Sequence, residues 1–530
     1  MNRRELLQLT SAAALTSVLP ASSEVPVANS HGTTPQFDVF ELVMEGPSGG
    51  NPFLEVMLSA TFRLGHRAIT VDGFYDGGST YRVRFMPDTR GQWTYVTSSN
   101  VAALSGQSGK FECTAARPEE HGPVAVVHTH HFAHADGTPF FPFGTTCYAW
   151  LHQGAPYEQQ TLDTLAKAPF NKIRMCIFPK SYEYNHNEPE FYPFPRTAGD
   201  PLTAPGDTAR FDPAFFRHLE QRIGDLRALH IQADLILFHP YDRWGYASLD
   251  AETNARYVRY VVARLAASSN VWWSLANEYD LVKSKTTADF TLLLNLVAQC
   301  DPYQHMRSIH YSHTMYDYGS PAVTHASLQT YDFAHAPEWL AAWNKPIIFD
   351  EMQYEGNLPS RWGNLSGQEM LRRFWLAMVN GCYATHGETF LAEPTAAESD
   401  YVKIWWSHGG KLSGTSPSRI AFLRKLVNET TTTGLNASAN PYYLNAVSPA
   451  PGDPKGAPAA ILYYFDQHQP VQYTFPLPDG ATYAAELIDP WEMTTVSIPG
   501  TYSGKTTLML PVKPYQALRF VRAAALTKGA

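Results

Sequence analysis

Three apolar runs in this chain end abruptly in carboxylates. "VWWSLANE" closes on Asn277 and Glu278, "KPIIFDE" on Asp350 and Glu351, and "CYATHGE" on Glu388. A carboxylate at the end of a buried strand is costly unless a partner or a task holds it there. Two such groups facing one another can break an acetal. One, protonated, donates to the leaving oxygen; the other, ionised, attacks the anomeric carbon or directs a water to it. A separation of roughly 5–5.5 Å gives retention through a covalent intermediate, and ~6.5–9.5 Å leaves room for water and inverts. Other polar residues follow or interrupt similar runs: Arg174, His239 with Tyr241, His310, Gln329 with Tyr331, and Trp406. Arg174 would be a costly charge inside an apolar strand unless an anion faces it, and a carboxylate nucleophile is the obvious partner.

The elements that position these groups form a regular series. Eight strand-like runs, at 139–148, 171–179, 232–240, 271–278, 306–313, 325–332, 345–352 and 382–390, alternate with helical segments. Asp212 is placed as N-cap with Pro213 at the first helical position, and Phe215, Leu219, Ile223 and Leu226 make one apolar stripe. Ser366 and Glu369 are spaced for a capping box. The count predicts a (β/α)8 barrel, whose parallel strands are buried on both faces and whose chemistry sits at the strands' C-terminal ends. Within "KPIIFDEM", strand alternation puts Ile347, Phe349 and Glu351 on one face, and Asp350 and Glu355 remain rivals for the nucleophile's role. Short alternating segments before and after the barrel pattern predict β-sandwiches on both sides. The expected domains are an N-terminal sandwich at 31–125, the barrel at 126–432 and a C-terminal sandwich at 433–530.

Residues 1–30 read as an export signal. Arg3 and Arg4 precede an uncharged stretch, which suits the twin-arginine route and a periplasmic or extracellular destination. The net charge of −9 argues against nucleic acid or an anionic membrane as partner. Five widely spaced cysteines without a CxxC exclude a disulfide framework and a Cys-rich zinc site. The run "HTHHFAH" at 128–134 invites a metal-dependent reading. It precedes the first barrel strand, however, and later strands supply no clear ladder of ligands to complete such a site. No metal and no cofactor are expected.

The pairing of Asn277–Glu278 with Glu351 resembles the retaining clan A glycoside hydrolases. More narrowly, "HADGTPFFPFGTTCYAW", "FNKIRMCIFP", "KPIIFDEMQYEGN", "THGETF" and "WWSHGGKL" resemble the apiosidase-like catalytic family. The stretch beginning "VDGFYDGGSTYRVRF" resembles the β-sandwich of unknown function that precedes such barrels, and "LIDPWEMTTVSIPG" resembles their C-terminal sandwich. The resemblance implies a carbohydrate substrate, Glu278 as acid/base, Glu351 as nucleophile and Asn277 on the sugar 2-hydroxyl. It further implies that Arg174 and Tyr331 orient and charge-balance the nucleophile. The apiosidase carries an Asp as its acid where this chain has Glu278, so the sugar stays open. His239, His310, Glu388 and Trp406 complete the expected substrate-binding set. The long segment 181–207 before the third strand suggests a walled pocket and exo action. The alternatives are a non-catalytic glycan-binding protein on the same scaffold and a metal-dependent barrel hydrolase.

Overall fold

The computed structural model describes residues 32–391, 404–438, 443–452 and 456–523; the expected export signal lies outside them. Eight strands form the central sheet: β1 (Phe143–Thr146), β2 (Lys172–Cys176), β3 (Gln232–Phe238), β4 (Val271–Ala276), β5 (Arg307–Ser308), β6 (Ala326–Gln329), β7 (Ile347–Glu351) and β8 (Tyr383–His386). Their order is β5-β4-β3-β2-β1-β8-β7-β6, every neighbour is parallel, and a parallel bridge between His310 and Ser327 closes the ring. The protein is therefore a (β/α)8 barrel with β-sandwiches on either side. The strands are shorter than the apolar runs that contain them. Pro139–Phe140 pairs instead with a small sheet ahead of the barrel, and Glu388–Thr389 pairs with Glu355–Gly356 beyond it.

Among the described residues, seven helices of eight residues or more follow the strands: α1 (Ala155–Leu165), α2 (Pro213–Ala228), α3 (Ala251–Leu265), α4 (Thr287–Cys300), α5 (Ala336–Trp343), α6 (Gly367–Val379) and α7 (Ser416–Thr430). No helix separates β5 from β6. In α2, Asp212 accepts from the Ala214 N–H at 2.9 Å, and Phe215, Leu219, Ile223 and Leu226 are all buried. At α6 the expected reciprocal box is only half made. Ser366 accepts from the Glu369 N–H at 3.2 Å, but the Glu369 carboxylate turns to Arg373 Nε at 2.7 Å, because a full charge outbids a neutral N–H. The complete box caps α4, between Thr286 and Asp289.

The barrel axis is not purely apolar. Lys172 Nζ lies 2.6 Å from Asp234 and 2.9 Å from Asp350, all three buried. Ser327 and Thr385 hydroxyls also donate to Asp350, at 2.6 and 2.7 Å. Burial works against ionisation of Asp350, but Lys172 and Arg174 hold its carboxyl well below the usual range. Asp350 is thus committed to the barrel interior, held by Lys172, Ser327 and Thr385. Lys172→Met should lower the stability of the barrel by about 3–5 kcal/mol, because it strands two buried carboxylates; urea unfolding followed by tryptophan fluorescence measures this.

The N-terminal sandwich packs Phe40 on Phe111 and Phe62 on Phe85, with ring centroids 3.9 and 4.1 Å apart. It is locked to the barrel by Arg264 of α3, which reaches Asp76 at 2.8 Å and Glu220 at 2.5 Å. The C-terminal sandwich is built on Tyr463, Phe475, Leu508 and Phe520. It meets α6 through Trp375 stacked on Tyr464 and through the Arg372–Asp466 ion pair. Cys147, Cys176 and Cys382 are free and buried, as small core residues.

Candidate active site

At the C-terminal end of the barrel the strands open into a cavity of about 510 Å³. Glu278, Glu351, Asn277, Trp406 and Tyr331 line it, together with Tyr148, Lys180, Tyr241 and Gln329. Glu351 is the last residue of β7, and Asn277 and Glu278 follow β4 directly. Glu278 sits in the left-handed region at φ 49°, ψ 54°, a conformation disfavoured for a residue with a Cβ. Such strain persists only where neighbours over-determine it. Here the Tyr241 hydroxyl donates to Glu278 Oε2, Asn277 Nδ2 reaches the same oxygen at 3.3 Å, and Gln329 Nε2 reaches Oε1 at 3.3 Å. Just beyond, the Asp280 carboxylate accepts three N–H groups, from Ser312, His313 and Thr314, each at 2.7 Å. Partial burial opposes ionisation of Asp280, but those donors hold its carboxyl below its ordinary value and tie the loop after β5 to that after β4.

The Glu351 carboxylate accepts from the Tyr148 hydroxyl and lies 3.4 Å from Arg174 Nη1. Arg174 Nη2 donates to Asn277 Oδ1 at 3.0 Å, and the Tyr148 oxygen lies 3.0 Å from the same atom. Arg174 is fully buried beneath the cavity floor; burial alone would weaken its charge, but Tyr148, Asp350 and Glu351 keep its pKa well raised. Burial, reinforced by Glu351 for Tyr148 and by Glu278 for Tyr241, pushes both phenols far up. Both phenols therefore stay protonated as donors. The geometry offers two carboxylates on opposite sides of the ring of strands, each positioned by a tyrosine and both wired to Asn277.

The expected set is only partly brought together. Tyr331 stands at the rim, 57% exposed, with Arg373 over its ring at 4.6 Å. The hydroxyl that meets Glu351 belongs to Tyr148 instead, which follows β1 by two residues. His239 does not line the cavity. Its Nε2 lies 3.1 Å from the Phe178 carbonyl oxygen, and burial lowers its pKa to about 4. His310 is likewise behind the wall, 3.9 Å from Glu351 Oε1, and burial beside Arg174 lowers it to about 3, so it packs as a neutral ring. Glu388 faces away from the cavity and accepts from the Ser413 N–H at 2.7 Å. Glu355, the other rival nucleophile, accepts from the Thr415 and Ser416 N–H groups at 2.7 and 3.1 Å, at the start of α7.

Sequence reasoning missed Lys180. Its ammonium lies over four rings, with Nζ 3.7 Å from the Tyr148 centroid, 4.3 Å from Tyr241, 4.6 Å from Tyr182 and 4.9 Å from Trp406. No carboxylate lies within 4 Å of it among the described residues, and burial lowers its pKa. The available signal was positional. Lys180 follows the β2 run as Glu278 follows β4, but a lysine at a strand end is common and nothing local singles it out. The His-rich run forms no ligand cluster among the described residues. His131 bonds Tyr383 and Asn436 at 2.8 and 3.0 Å, and His134 the Gly122 carbonyl oxygen at 2.8 Å.

Comparison with known proteins is consistent with this geometry. Residues 33–100 match a domain of unknown function (DUF5060), and 455–521 match another (DUF5605). No curated protein matches the chain in sequence. A candidate glycoside hydrolase of known crystal structure from Bacteroides vulgatus is 38% identical, with a TM-score of 0.85 over 93% of this chain and 100% of its own. A family 5 glycoside hydrolase from the same organism is 13% identical, with a TM-score of 0.56 over 76% of this chain and 94% of its own, which shows a shared fold. Residues 127–433, the barrel with both its carboxylates, match the apiosidase-like catalytic domain, so the chain belongs to that family and is a glycoside hydrolase.

Proposed function

We propose that the protein is a retaining glycoside hydrolase acting on the end of an oligosaccharide or glycoside. Glu351 attacks the anomeric carbon and forms a glycosyl ester while Glu278 protonates the departing oxygen. Glu278 then takes a proton from the incoming water, which displaces Glu351 and returns the sugar with its original configuration. The observation that carries this reading is the chain of contacts Glu278–Asn277–Tyr148–Glu351, which ties the two carboxylates through one amide and one phenol. Asn277 is then placed for the sugar 2-hydroxyl, and its second link, to Arg174, keeps it there. A bowl of about 510 Å³ walled by Tyr182 and Glu183 from one loop, and Tyr354 and Trp362 from another, suits a terminal residue better than a threaded chain. Trp406 offers a stacking face. An exported enzyme meeting glycans outside the cytoplasm is in keeping with the paired arginines at 3 and 4.

The test is proton NMR of the first-formed anomer, with aryl glycosides of pyranoses and furanoses. The substrate configuration should appear first and mutarotate later; an inverted first product would overturn the double displacement. Lys180 lines the bowl with no carboxylate within 4 Å among the described residues, and we assign it to a substrate hydroxyl or anionic substituent. Lys180→Met should cost about 10- to 100-fold in kcat/KM, the worth of one charged hydrogen bond, with the retained configuration unchanged.

A further inference from the structure

Behind the cavity wall, Glu355 and Glu388 lie directly opposite each other in a two-stranded parallel pair that extends β7 and β8 outward. Both are buried, at 1% and 2% exposure. Like charges facing each other across a strand pair repel, and burial removes the water that would screen them. Neither has a Lys or Arg nitrogen within 4 Å among the described residues, and Glu388 has only His386 beside it. Glu355 is well supplied with N–H donors from the start of α7. Glu388 is not: Oε2 accepts from Ser413, but Oε1 has no hydrogen-bond partner.

His386 supplies a second, independent sign. It is fully buried, Phe170 stacks on its ring at 4.8 Å, and its Nδ1 lies 3.3 Å from Thr145 Oγ1. Its Nε2 has no hydrogen-bond partner and points at Glu388 Oε1 from 3.6 Å. One donor atom each from Glu355, His386 and Glu388 fall within 4.8 Å of one another. A metal on Nε2 requires Nδ1 to carry the proton, and Thr145 Oγ1 is within reach to accept it, the arrangement in which an outer partner sets the tautomer of a histidine ligand. Two carboxylates and one neutral imidazole carry a charge of −2, which a single divalent cation balances.

We propose that Glu355, His386 and Glu388 bind a divalent cation of the zinc or manganese type, distinct from the catalytic carboxylates. The mixed nitrogen and oxygen donor set favours these ions over calcium or magnesium, which take oxygen almost exclusively. Its role is to clamp the cavity wall. Tyr354 and Gly387, the residues just before the two glutamates, stand at that wall, and a Cβ on Gly387 would lie 2.4 Å from the Tyr354 ring. The same cation would pin the loop before α7, through Ser413, to the ends of β7 and β8.

The full-length chain, purified without chelator, is assayed by inductively coupled plasma mass spectrometry. It should hold about one equivalent of zinc or manganese per chain. Stripping with EDTA should lower Tm by at least about 3 °C, and ZnCl2 or MnCl2, but not MgCl2 or CaCl2, should restore it. Glu388→Gln and His386→Gln should each abolish both the bound metal and the Tm response. A His128→Asn variant, which removes an exposed histidine of the turn ahead of the barrel, should keep both. The proposal is overturned if the unmodified chain holds under about 0.1 equivalent and its Tm ignores all four salts. Metal that persists in both Glu388→Gln and His386→Gln overturns it equally, by placing the ion elsewhere. These readouts do not depend on turnover, so inactivity on every glycan would count against the hydrolase mechanism and leave the cation site standing or falling by itself.

Discussion

Glu351→Gln should lower kcat by about 10⁴-fold or more while leaving substrate affinity within a few-fold, since removing a covalent nucleophile leaves binding intact. The amide keeps the shape of the side chain and can still accept from Tyr148 and Arg174, which hold Glu351 in the native site. Arg174 loses one anion but keeps Asp234 and Asp350, each about 4 Å from its Nε, so the barrel floor should survive the change. The measurement is steady-state turnover beside calorimetric binding, with circular dichroism to confirm folding. In the unmodified enzyme, a 2-deoxy-2-fluoro glycosyl donor should leave a covalent adduct that peptide mass spectrometry places on Glu351. Turnover within ten-fold of the parent would remove Glu351 from the nucleophile's role and with it the double displacement.

The second large effect belongs to Glu278. Glu278→Ala removes both the proton donor of the first step and the base of the second, and general acid–base catalysis is worth about 10²–10⁴-fold. The loss should depend on the leaving group. An alkyl glycoside, which needs its departing oxygen protonated, should suffer the full penalty. A dinitrophenyl glycoside, whose leaving group departs as an anion, should form the glycosyl ester readily and then stall. Sodium azide, which needs no base, should restore turnover on that substrate and yield a glycosyl azide of retained configuration. Equal losses on both substrates, with no response to azide, would show that Glu278 acts only through structure. The alanine also removes the acceptor for Tyr241 and Gln329, so thermal stability of the variant is checked alongside.

Much of the barrel was legible because a parallel strand buried on both faces leaves a continuous apolar run, and each run stops where the barrel opens. The runs around Ile347 and Val271 therefore announced both their strands and their terminal carboxylates. The readings overstated strand length where a strand is only two residues long, as with β5, or where one apolar run served two sheets, as at Pro139–Thr146. Histidines at strand ends were read as ligands because the residue type invites it. His239 turned out to be enclosed with its Nε2 against the Phe178 carbonyl oxygen, and His310 to be enclosed beside Glu351 and Arg174.

What the amino-acid sequence determined unaided was the architecture, the two carboxylates with their asparagine, and the presence of Arg174 beneath them. The architecture and the strand-end carboxylates follow from periodicity and from the cost of burying charge, both properties of short local stretches. The pairing of Asn277 and Glu278 with Glu351 follows from the resemblance of those stretches to a known family. The tertiary structure alone decided which phenol meets which carboxylate, that Tyr148 rather than Tyr331 holds Glu351, and that Lys180 lies in a box of four rings. It also turned Glu388 away from the cavity and set it against Glu355 and His386. Closing eight strands into a ring brings together side chains more than two hundred residues apart, as with Tyr148 and Glu351. Which of them touch depends on the stagger of neighbouring strands, a quantity that no single stretch of the chain encodes.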